Sequence, residues 1–400
     1  MVIAKWLANN DCLVMCLFTG FNGFWRMLCN SAANQRRFCQ TGQLPSYMKP
    51  QMPANTPRFN LRLLALGLLG LGALCVQAAT PVAAEPAAKP DAVTSAPEAL
   101  AVDPSLYTSQ TFDWNDSARN RSVPAKLYLP VLPAGPLKPG ALPLVVFSHG
   151  IGGSRDGYRY LGSYFAANGY ASLHVQHVGS DRQLWFGNPL GLVFRLTEAA
   201  QEAEALNRVK DVKFALSRLL AEPVGSSINP QRLVAAGHSY GANTTMLLAG
   251  AQVSSVPYAA KDPRFTAAIL ISAPPFYGMG NPQSIVSSID VPTLHITATA
   301  DDIQIPGYNS GVADRLALYQ ATGQGSQAAK VLAVFSGGSH SIFTDRMGTG
   351  GAALNPKVKV ATRQLALAFL KALHAKDLLA LEQWSGQHSD IVARFEKAAF

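Results

Sequence analysis

Ser239 stands between two glycines in the segment Gly237-His238-Ser239-Tyr240-Gly241, where a short apolar run gives way to a helical pattern. A Gly-x-Ser-x-Gly turn between a buried strand and a helix strains the serine backbone and raises the hydroxyl above the edge of the sheet. The N-terminus of the helix favours negative charge beside it. The pattern therefore predicts a serine nucleophile. The alternative is an ordinary strand–turn–helix that uses small residues for close packing.

A serine hydroxyl needs a general base, and we predict His340 for this role. His340 follows the last apolar run in FSGGSHSIF, where Gly337 and Gly338 indicate a loop at the carboxyl edge of the sheet. An ordinary loop histidine is the alternative. The remaining histidines lie in the turn motifs, in or just after apolar runs, or near the C-terminus: His149, His174, His177, His238, His295, His374 and His388.

The base needs a carboxylate to orient it, and two aspartates follow the apolar run PTLHITATA. Asp301 is the first residue after that run that is free to turn toward His340, whereas Asp302 would point the opposite way. We predict Asp301 as the acid and keep Asp302 as the alternative. A solvated turn would explain the pair without any chemistry.

A developing oxyanion needs two backbone N–H groups aimed at one point. The amide after the nucleophile, that of Tyr240, supplies one. The glycine-rich segment SHGIGGSR at 148–155 follows another apolar run, and its glycines let the backbone approach a substrate closely. We predict the amides of Ile151 and Tyr240 as the oxyanion hole. The glycine run is a weak signal alone and gains weight from the other three motifs.

The elements that must position these residues alternate between apolar runs and helical patterns. Continuous apolar runs typify strands buried on both faces, so the pattern predicts an α/β-hydrolase type of α/β fold, a mainly parallel doubly wound sheet with a leading antiparallel hairpin. The single catalytic domain is predicted over 106–375, followed by a helical tail over 376–400. The irregular segment Gly179–Arg195 is long enough for a lid, and its apolar residues could equally pack over the sheet.

The first hundred residues are predicted to lie outside that domain. Residues 48–78 have basic residues, a fourteen-residue apolar run at Leu63–Val76 and a small-residue ending, as a secretory signal peptide has. Residues 1–47 are predicted to be an extension from a mis-assigned start, or alternatively to hold a membrane-seeking segment around Leu13–Phe18. A lipoprotein site at Cys75 is a further alternative. The Ala/Pro-rich stretch 79–105 is predicted to be a disordered linker.

Cleavage near Ala78 would change both the cysteine content and the charge. All five cysteines precede it, so we expect neither disulfides nor a thiolate nucleophile in the mature chain. Seven of 33 basic and one of 24 acidic residues precede Thr80, which leaves 26 against 23 and a net charge of +3. With no basic run left, we expect no nucleic-acid partner. We also expect no membrane span in the mature chain, no metal and no cofactor.

The motifs VVFSHGIGGSR, AAGHSYGAN, Asp301-Asp302 and GGSHSIF together resemble the α/β-hydrolase superfamily. More narrowly, they resemble bacterial predicted dienelactone hydrolases, which are related to platelet-activating-factor acetylhydrolases and cutinase-like polyesterases. The resemblance spans about 113–373 and implies serine-ester chemistry. This chain departs from dienelactone hydrolases proper, which use a cysteine nucleophile. It also departs from the acetylhydrolases, whose acid follows the next strand after the elbow, where this chain has ISAPP.

These observations predict an exported serine carboxylic-ester hydrolase, periplasmic or extracellular, that works through an acyl-enzyme on a small-molecule, lipid or polymer ester. A lipase or phospholipid acetylhydrolase, a polyester hydrolase and an acyltransferase are alternatives that use the same residues. A binding protein that keeps a hydrolase fold is the alternative from another class, and a broken motif would be its sign.

Overall fold

The computed structural model describes residues 2–9, 12–21, 24–30, 100–131, 135, 137–253, 260–276, 280–305, 308–346 and 348–400. The chain divides into two units, Met1–Pro86 and Ala87–Phe400. In the first unit, strands β1 (Val2–Asn9), β2 (Cys12–Phe21) and β3 (Phe24–Asn30) form an antiparallel sheet that the sequence analysis did not predict. The predicted signal peptide over 48–78, and the predicted linker up to residue 99, lie outside the described residues.

The second unit contains a nine-stranded mixed sheet. Its strands are β4 (Tyr107–Asp116), β5 (Arg121–Pro130), β6 (Leu142–Ser148), β7 (Ala171–Val175), β8 (Ile228–His238), β9 (Phe265–Ile271), β10 (Thr293–Ala300), β13 (Lys330–Ser339) and β14 (Val392–Ala398). They lie in the order β4-β5-β7-β6-β8-β9-β10-β13-β14. The neighbouring strands from β7 to β13 run parallel, and the pairs β4–β5, β5–β7 and β13–β14 are antiparallel. A separate hairpin joins β11 (Ile303–Ile305) to β12 (Tyr308–Ser310). This arrangement confirms the predicted α/β-hydrolase fold.

Helices cover both faces of this sheet. They are α1 (Arg159–Ala167), α2 (Leu192–Ala199), α3 (Glu202–Ala221), α4 (Tyr240–Ala249), α5 (Pro282–Val286), α6 (Val312–Ala321), α7 (Leu354–Ala375) and α8 (Leu379–Gln387). Helices α3 and α4 pack in the core cluster on one face, and α1, α7 and α8 pack in the cluster on the other. Every residue of β6 is buried as a result, which is why its sequence is a continuous apolar run. Among the helices of the described residues, none combines the length and the hydropathy of a transmembrane span.

The C-terminal tail differs from the prediction, because only its first half is helical. Trp384 anchors helix α8, because its side chain is 1% exposed and its indole N–H donates to the carbonyl of Ala361. The chain then turns and adds β14 to the edge of the sheet, antiparallel to β13. Val392 and Phe395 pack against the core while Arg394 stays exposed. A short edge strand with so few buried residues has too weak a periodicity to be recognised in the sequence.

Candidate active site

Ser239 lies where β8 ends and α4 begins, in the strained turn that the sequence predicts. Its backbone has φ 55° and ψ −123°, a conformation that a residue with a side chain rarely adopts. A Cβ on Gly237 would lie 2.2 Å from the carbonyl oxygen of Gly241, and one on Gly241 would lie 1.9 Å from that of Ser148. The two glycines are therefore needed because backbone occupies the space on both sides of the serine.

His340 and Asp301 meet Ser239 at the carboxyl edge of the sheet. The Nε2 atom of His340 lies 2.7 Å from the hydroxyl oxygen of Ser239. Its Nδ1 atom lies 2.7 Å from Oδ1 of Asp301. If Nδ1–H donates to the carboxylate, Nε2 is left free to accept the serine proton. The structure thus brings the predicted nucleophile, base and acid into one continuous chain of hydrogen bonds.

Asp301 is fully buried, and its charge is balanced by its neighbours. Burial alone would raise the pKa of this carboxyl, but the hydrogen bond and charge of His340, the charge of Arg315 and the Ser272 hydroxyl together lower the pKa below its usual range. The Nε atom of Arg315 lies 3.5 Å from Oδ2 of Asp301. Asp302 is exposed and turns its carboxylate toward Gly311 instead. Of the two candidate acids, only Asp301 contacts His340 in the described structure.

Two hydroxyl groups around this carboxylate were missed in the sequence. Ser272, directly after β9, donates to Oδ2 of Asp301 at 2.5 Å, and its Oγ also lies 2.7 Å from Nδ1 of His340. Thr297 in β10 donates to the same Oδ2 at 2.7 Å. The signal for Ser272 was its place at a strand end on the same edge, but a search for carboxylates passes over a hydroxyl.

His238, inside the turn motif, connects the glycine-rich loop to the base. Its Nε2 atom lies 3.0 Å from the carbonyl oxygen of His340, so Nε2 carries the proton and donates it. Its Nδ1 atom then accepts from the hydroxyl of Tyr158 at 2.8 Å, and that oxygen accepts the N–H of Gly150 at 3.3 Å. Burial, assisted by the charge of His340, lowers the pKa of His238 to about 3. This neutral imidazole therefore fixes the backbone on both sides of the serine.

The loop that was predicted to hold one oxyanion donor passes directly beside the serine. A Cβ on Gly150 would lie 3.3 Å from Cβ of Ser239. Farther along, the N–H of Gly152 donates to the carbonyl of Ser180 at 2.8 Å. Tyr240 is the first residue of α4, so its amide lies at the N-terminus of that helix. Both predicted donors, the amides of Ile151 and Tyr240, thus belong to backbone segments that adjoin the serine.

The segment predicted as a lid is built of short helical turns that lead into α2. The indole N–H of Trp185 donates to the carbonyl of Gly152 at 2.9 Å, which ties the segment to the glycine-rich loop. Phe186 is 65% exposed and Phe194 is 69% exposed. The alternative that these rings pack over the sheet is wrong for both of them. The exposed ring of Phe186, which follows Trp185 in the chain, therefore adds apolar surface next to the residue that contacts the glycine-rich loop.

The described residues hold no group of three or more His, Cys, Asp or Glu side chains that could bind a metal ion.

Part of the chain is similar to a known protein family. Residues 108–183 match the family model for platelet-activating factor acetylhydrolase, isoform II. That segment includes the glycine-rich loop and ends before Ser239. No curated protein matches the chain.

The sheet order and this match together define an α/β-hydrolase similar to the platelet-activating factor acetylhydrolases. The match covers the strands and the loop on which the oxyanion prediction rests. The resemblance to dienelactone hydrolases and to cutinase-like polyesterases stays a prediction.

Proposed function

We propose that this protein is an exported serine carboxylic-ester hydrolase in which Ser239, His340 and Asp301 form the catalytic triad. The observation that supports this most strongly is the unbroken contact from the Ser239 hydroxyl through both nitrogens of His340 to the buried Asp301 carboxylate. A buried carboxylate in this position holds the imidazole in the required tautomer and stabilises its charged form. The strained serine backbone supports the same assignment, because such strain concentrates at functional sites.

In the proposed reaction, His340 takes the proton from Ser239 as Oγ attacks the ester carbonyl carbon. The carbonyl oxygen becomes an oxyanion that accepts the N–H groups of Ile151 and Tyr240. The tetrahedral intermediate then collapses, the alkoxide leaves with the proton held by His340, and an acyl-enzyme remains. Water, deprotonated by His340, attacks this ester and releases the acid with regeneration of the serine. No step requires a metal or an organic cofactor.

The backbone N–H of Ile151 is available to donate to an oxyanion. In the loops that the structure describes, the N–H of Ile151 takes part in none of the backbone hydrogen bonds, whereas the next two residues of the glycine-rich loop both donate. A backbone donor left open beside a nucleophile suits a substrate oxygen. Removal of one such donor in a related site typically costs about 10²–10³ in rate.

The decisive experiment compares purified wild-type protein with Ser239→Ala, using a fluorophosphonate probe and short p-nitrophenyl esters. We expect labelling and hydrolysis in the wild type and neither in the variant, with an unchanged melting temperature. Ser217→Ala, a serine whose hydroxyl bonds its own helix, is the matched control and should be labelled as the wild type is. Hydrolysis by Ser239→Ala at the wild-type rate would overturn the assignment of the triad.

A lipid ester is the second candidate substrate class, and the exposed rings of Phe186 and Phe194 favour it. The family match adds support, because the matched family consists of acetylhydrolases of a phospholipid, platelet-activating factor. If this candidate is correct, hydrolysis should rise when the ester forms micelles. Replacement of both phenylalanines by serine should abolish that rise and leave hydrolysis of p-nitrophenyl acetate unchanged. Equal rates below and above the micelle concentration would argue for a simple esterase.

Export is part of the proposal and rests on the predicted signal peptide over 48–78. Expression of the full-length chain with a C-terminal tag, followed by N-terminal sequencing of the product, tests it. We expect a mature protein that begins near Ala79 and is found in the periplasm or the medium. A cytoplasmic product that retains residue 48 would contradict export without touching the triad.

A further inference from the structure

Arg208 of α3 is a fully buried cation that lies behind the glycine-rich loop and the start of α4. Its side chain is 0% exposed, and each of its three nitrogens has a hydrogen-bond acceptor. Nε donates to Oγ1 of Thr244 at 3.0 Å, Nη1 donates to Oγ of Ser180 at 2.8 Å, and Nη2 donates to the carbonyl oxygen of His149. One planar guanidinium therefore contacts three separate segments of the chain.

Two of these contacts lead to the backbone segments that carry the proposed oxyanion donors. The carbonyl of His149 lies two residues before the Ile151 amide, at the start of the glycine-rich loop. Thr244 links Arg208 to the start of α4, because the Thr244 hydroxyl donates to the carbonyl oxygen of Tyr240 at 3.1 Å. The guanidinium carbon also lies 4.5 Å from the centroid of the Tyr240 ring, which makes a cation–π contact. Arg208 thus bridges the two backbone segments that carry the donors.

Among the residues that the structure describes, no carboxylate forms a direct ion pair with Arg208. The nearby carboxylates of Glu204 and Asp211 pair with Arg121 instead. Arg208 is linked to Glu204 through Ser180, whose hydroxyl accepts from Nη1 and donates to Oε1 of Glu204 at 2.8 Å. Burial consequently lowers the pKa of Arg208 to about 10, against the opposing effects of Tyr240 and the two carboxylates. A buried charge costs stability, so a neutral side chain would serve better if packing were its only role.

We infer that Arg208 is a positioning residue that holds the amides of Ile151 and Tyr240 at the spacing that an oxyanion requires. This inference rests on the proposed function. A planar fork can fix two acceptors at a set separation, which a lysine cannot do because its ammonium is a single flexible point. None of the three hydrogen bonds of Arg208 reaches the reacting atoms. Arg208 therefore acts through the backbone of the glycine-rich loop and of the start of α4.

The test uses Arg208→Met, which keeps an unbranched apolar stem but removes the charge and the fork, and Arg208→Lys, which keeps the charge alone. Arg363→Met is the matched control. Arg363 is also largely buried, donates to a backbone carbonyl and stacks on a tyrosine, but it lies on α7. For each protein we would measure kcat and KM for p-nitrophenyl acetate, the melting temperature, and the carbonyl stretching frequency of an acyl-enzyme carrying a ¹³C-labelled acyl group.

We expect kcat to fall about 100-fold in Arg208→Met, the order found when one oxyanion donor is lost, with KM changed less than about threefold. The carbonyl stretch should move to higher frequency, because a weaker hydrogen bond polarises the C=O group less. Arg208→Lys should lose activity to an intermediate degree and show the same direction of shift. Arg363→Met should keep the wild-type kcat and frequency.

Three results would overturn the inference. The first is a wild-type kcat and frequency in Arg208→Met. The second is full activity in Arg208→Lys, which would assign the effect to charge rather than to the fork. The third is a loss of kcat in both Arg208→Met and Arg363→Met that is proportional, in each variant, to the fall in melting temperature. If Arg208→Met fails to fold, the carbonyl stretching frequency of the Arg208→Lys acyl-enzyme decides alone, and a wild-type frequency there overturns the inference. An unlabelled, inactive wild type would refute the proposed function itself, which the Ser239 experiment detects separately.

Discussion

The hydroxyl oxygen of Ser272 lies 2.5 Å from Oδ2 of Asp301, the carboxylate oxygen that does not face the base. Ser272 adopts φ 51° to reach this point, so its side chain turns inward at the end of β9. The same oxygen lies 2.7 Å from Nδ1 of His340. Among the described residues, Ser272 thus has the one side chain within hydrogen-bonding distance of both the proposed acid and the proposed base.

Ser272→Ala should therefore lower kcat without unfolding the protein. Loss of a hydrogen bond to a charged group costs about 1.5–3 kcal/mol, so we expect kcat to fall roughly 10- to 100-fold while KM changes little. Steady-state kinetics on p-nitrophenyl acetate would measure both constants, and Ser217→Ala on the surface of α3 is the control. An unchanged kcat would mean that the Asp301–His340 pair is held by its other contacts.

Asp301→Asn and Asp302→Asn form a matched pair that tests the choice of acid. Asp301→Asn should reduce kcat by about 10⁴, because an amide in this position stabilises the wrong imidazole tautomer. Asp302→Asn should stay within about twofold of the wild type, since the Asp302 carboxylate is exposed and faces Gly311. The two rate constants decide the assignment, and a larger loss in Asp302→Asn would reverse it.

Gly241→Ala should damage both folding and activity. The added methyl group would lie 1.9 Å from the carbonyl oxygen of Ser148, so β6 and α4 would have to move apart. We expect a loss of about 1–3 kcal/mol in the free energy of unfolding, as for overpacked cores, together with a large fall in kcat. Gly386→Ala in α8 is the control, because a Cβ there meets nothing within 4 Å. Denaturant unfolding would measure the free energy of unfolding of both variants, and equal values for Gly241→Ala and Gly386→Ala would contradict the prediction.

The protein should lose stability steeply on mild acidification. Five histidines are buried, and burial lowers the pKa of each: His174 to about 4, His238 and His295 to about 3, and His149 and His177 well below the usual value. The unfolded chain binds these protons below about pH 6.5 while the folded chain does not. The stability that they contribute is therefore complete above about pH 6.5. It is lost as the pH falls, down to about 4 for His174 and to about 3 for His238 and His295.

Each such histidine contributes a slope of about 1.4 kcal/mol per pH unit in that window. Melting temperatures measured from pH 7.5 to 4.5 should fall progressively below pH 6.5. His295→Gln, which removes a buried histidine outside the site, should reduce the proton uptake on unfolding by about one. A melting temperature that stays constant from pH 7 to 5 would contradict the prediction.

The fold and the predicted site residues followed from local patterns. Continuous apolar runs indicated strands covered on both faces, and the residues after those runs had to meet at one edge of a parallel sheet. Ser239, His340 and Asp301 could be predicted from these positions with no knowledge of distances. Strand β14 could not be predicted, because its few buried residues leave little periodicity. The contacts of His238, in a turn, and of His177, after a strand, could not be predicted either.

Sequence alone determined the type of fold, the serine turn and the order of the motifs along the chain, because hydrophobic periodicity and glycine positions are local properties. Tertiary structure alone decided which hydroxyls share the Asp301 carboxylate, and that Arg208 lies behind Tyr240. These contacts join residues that are distant in sequence, such as Ser272 and His340 or Arg208 and His149. Their partners are set by how helices pack on the sheet, and no spacing within the chain encodes that.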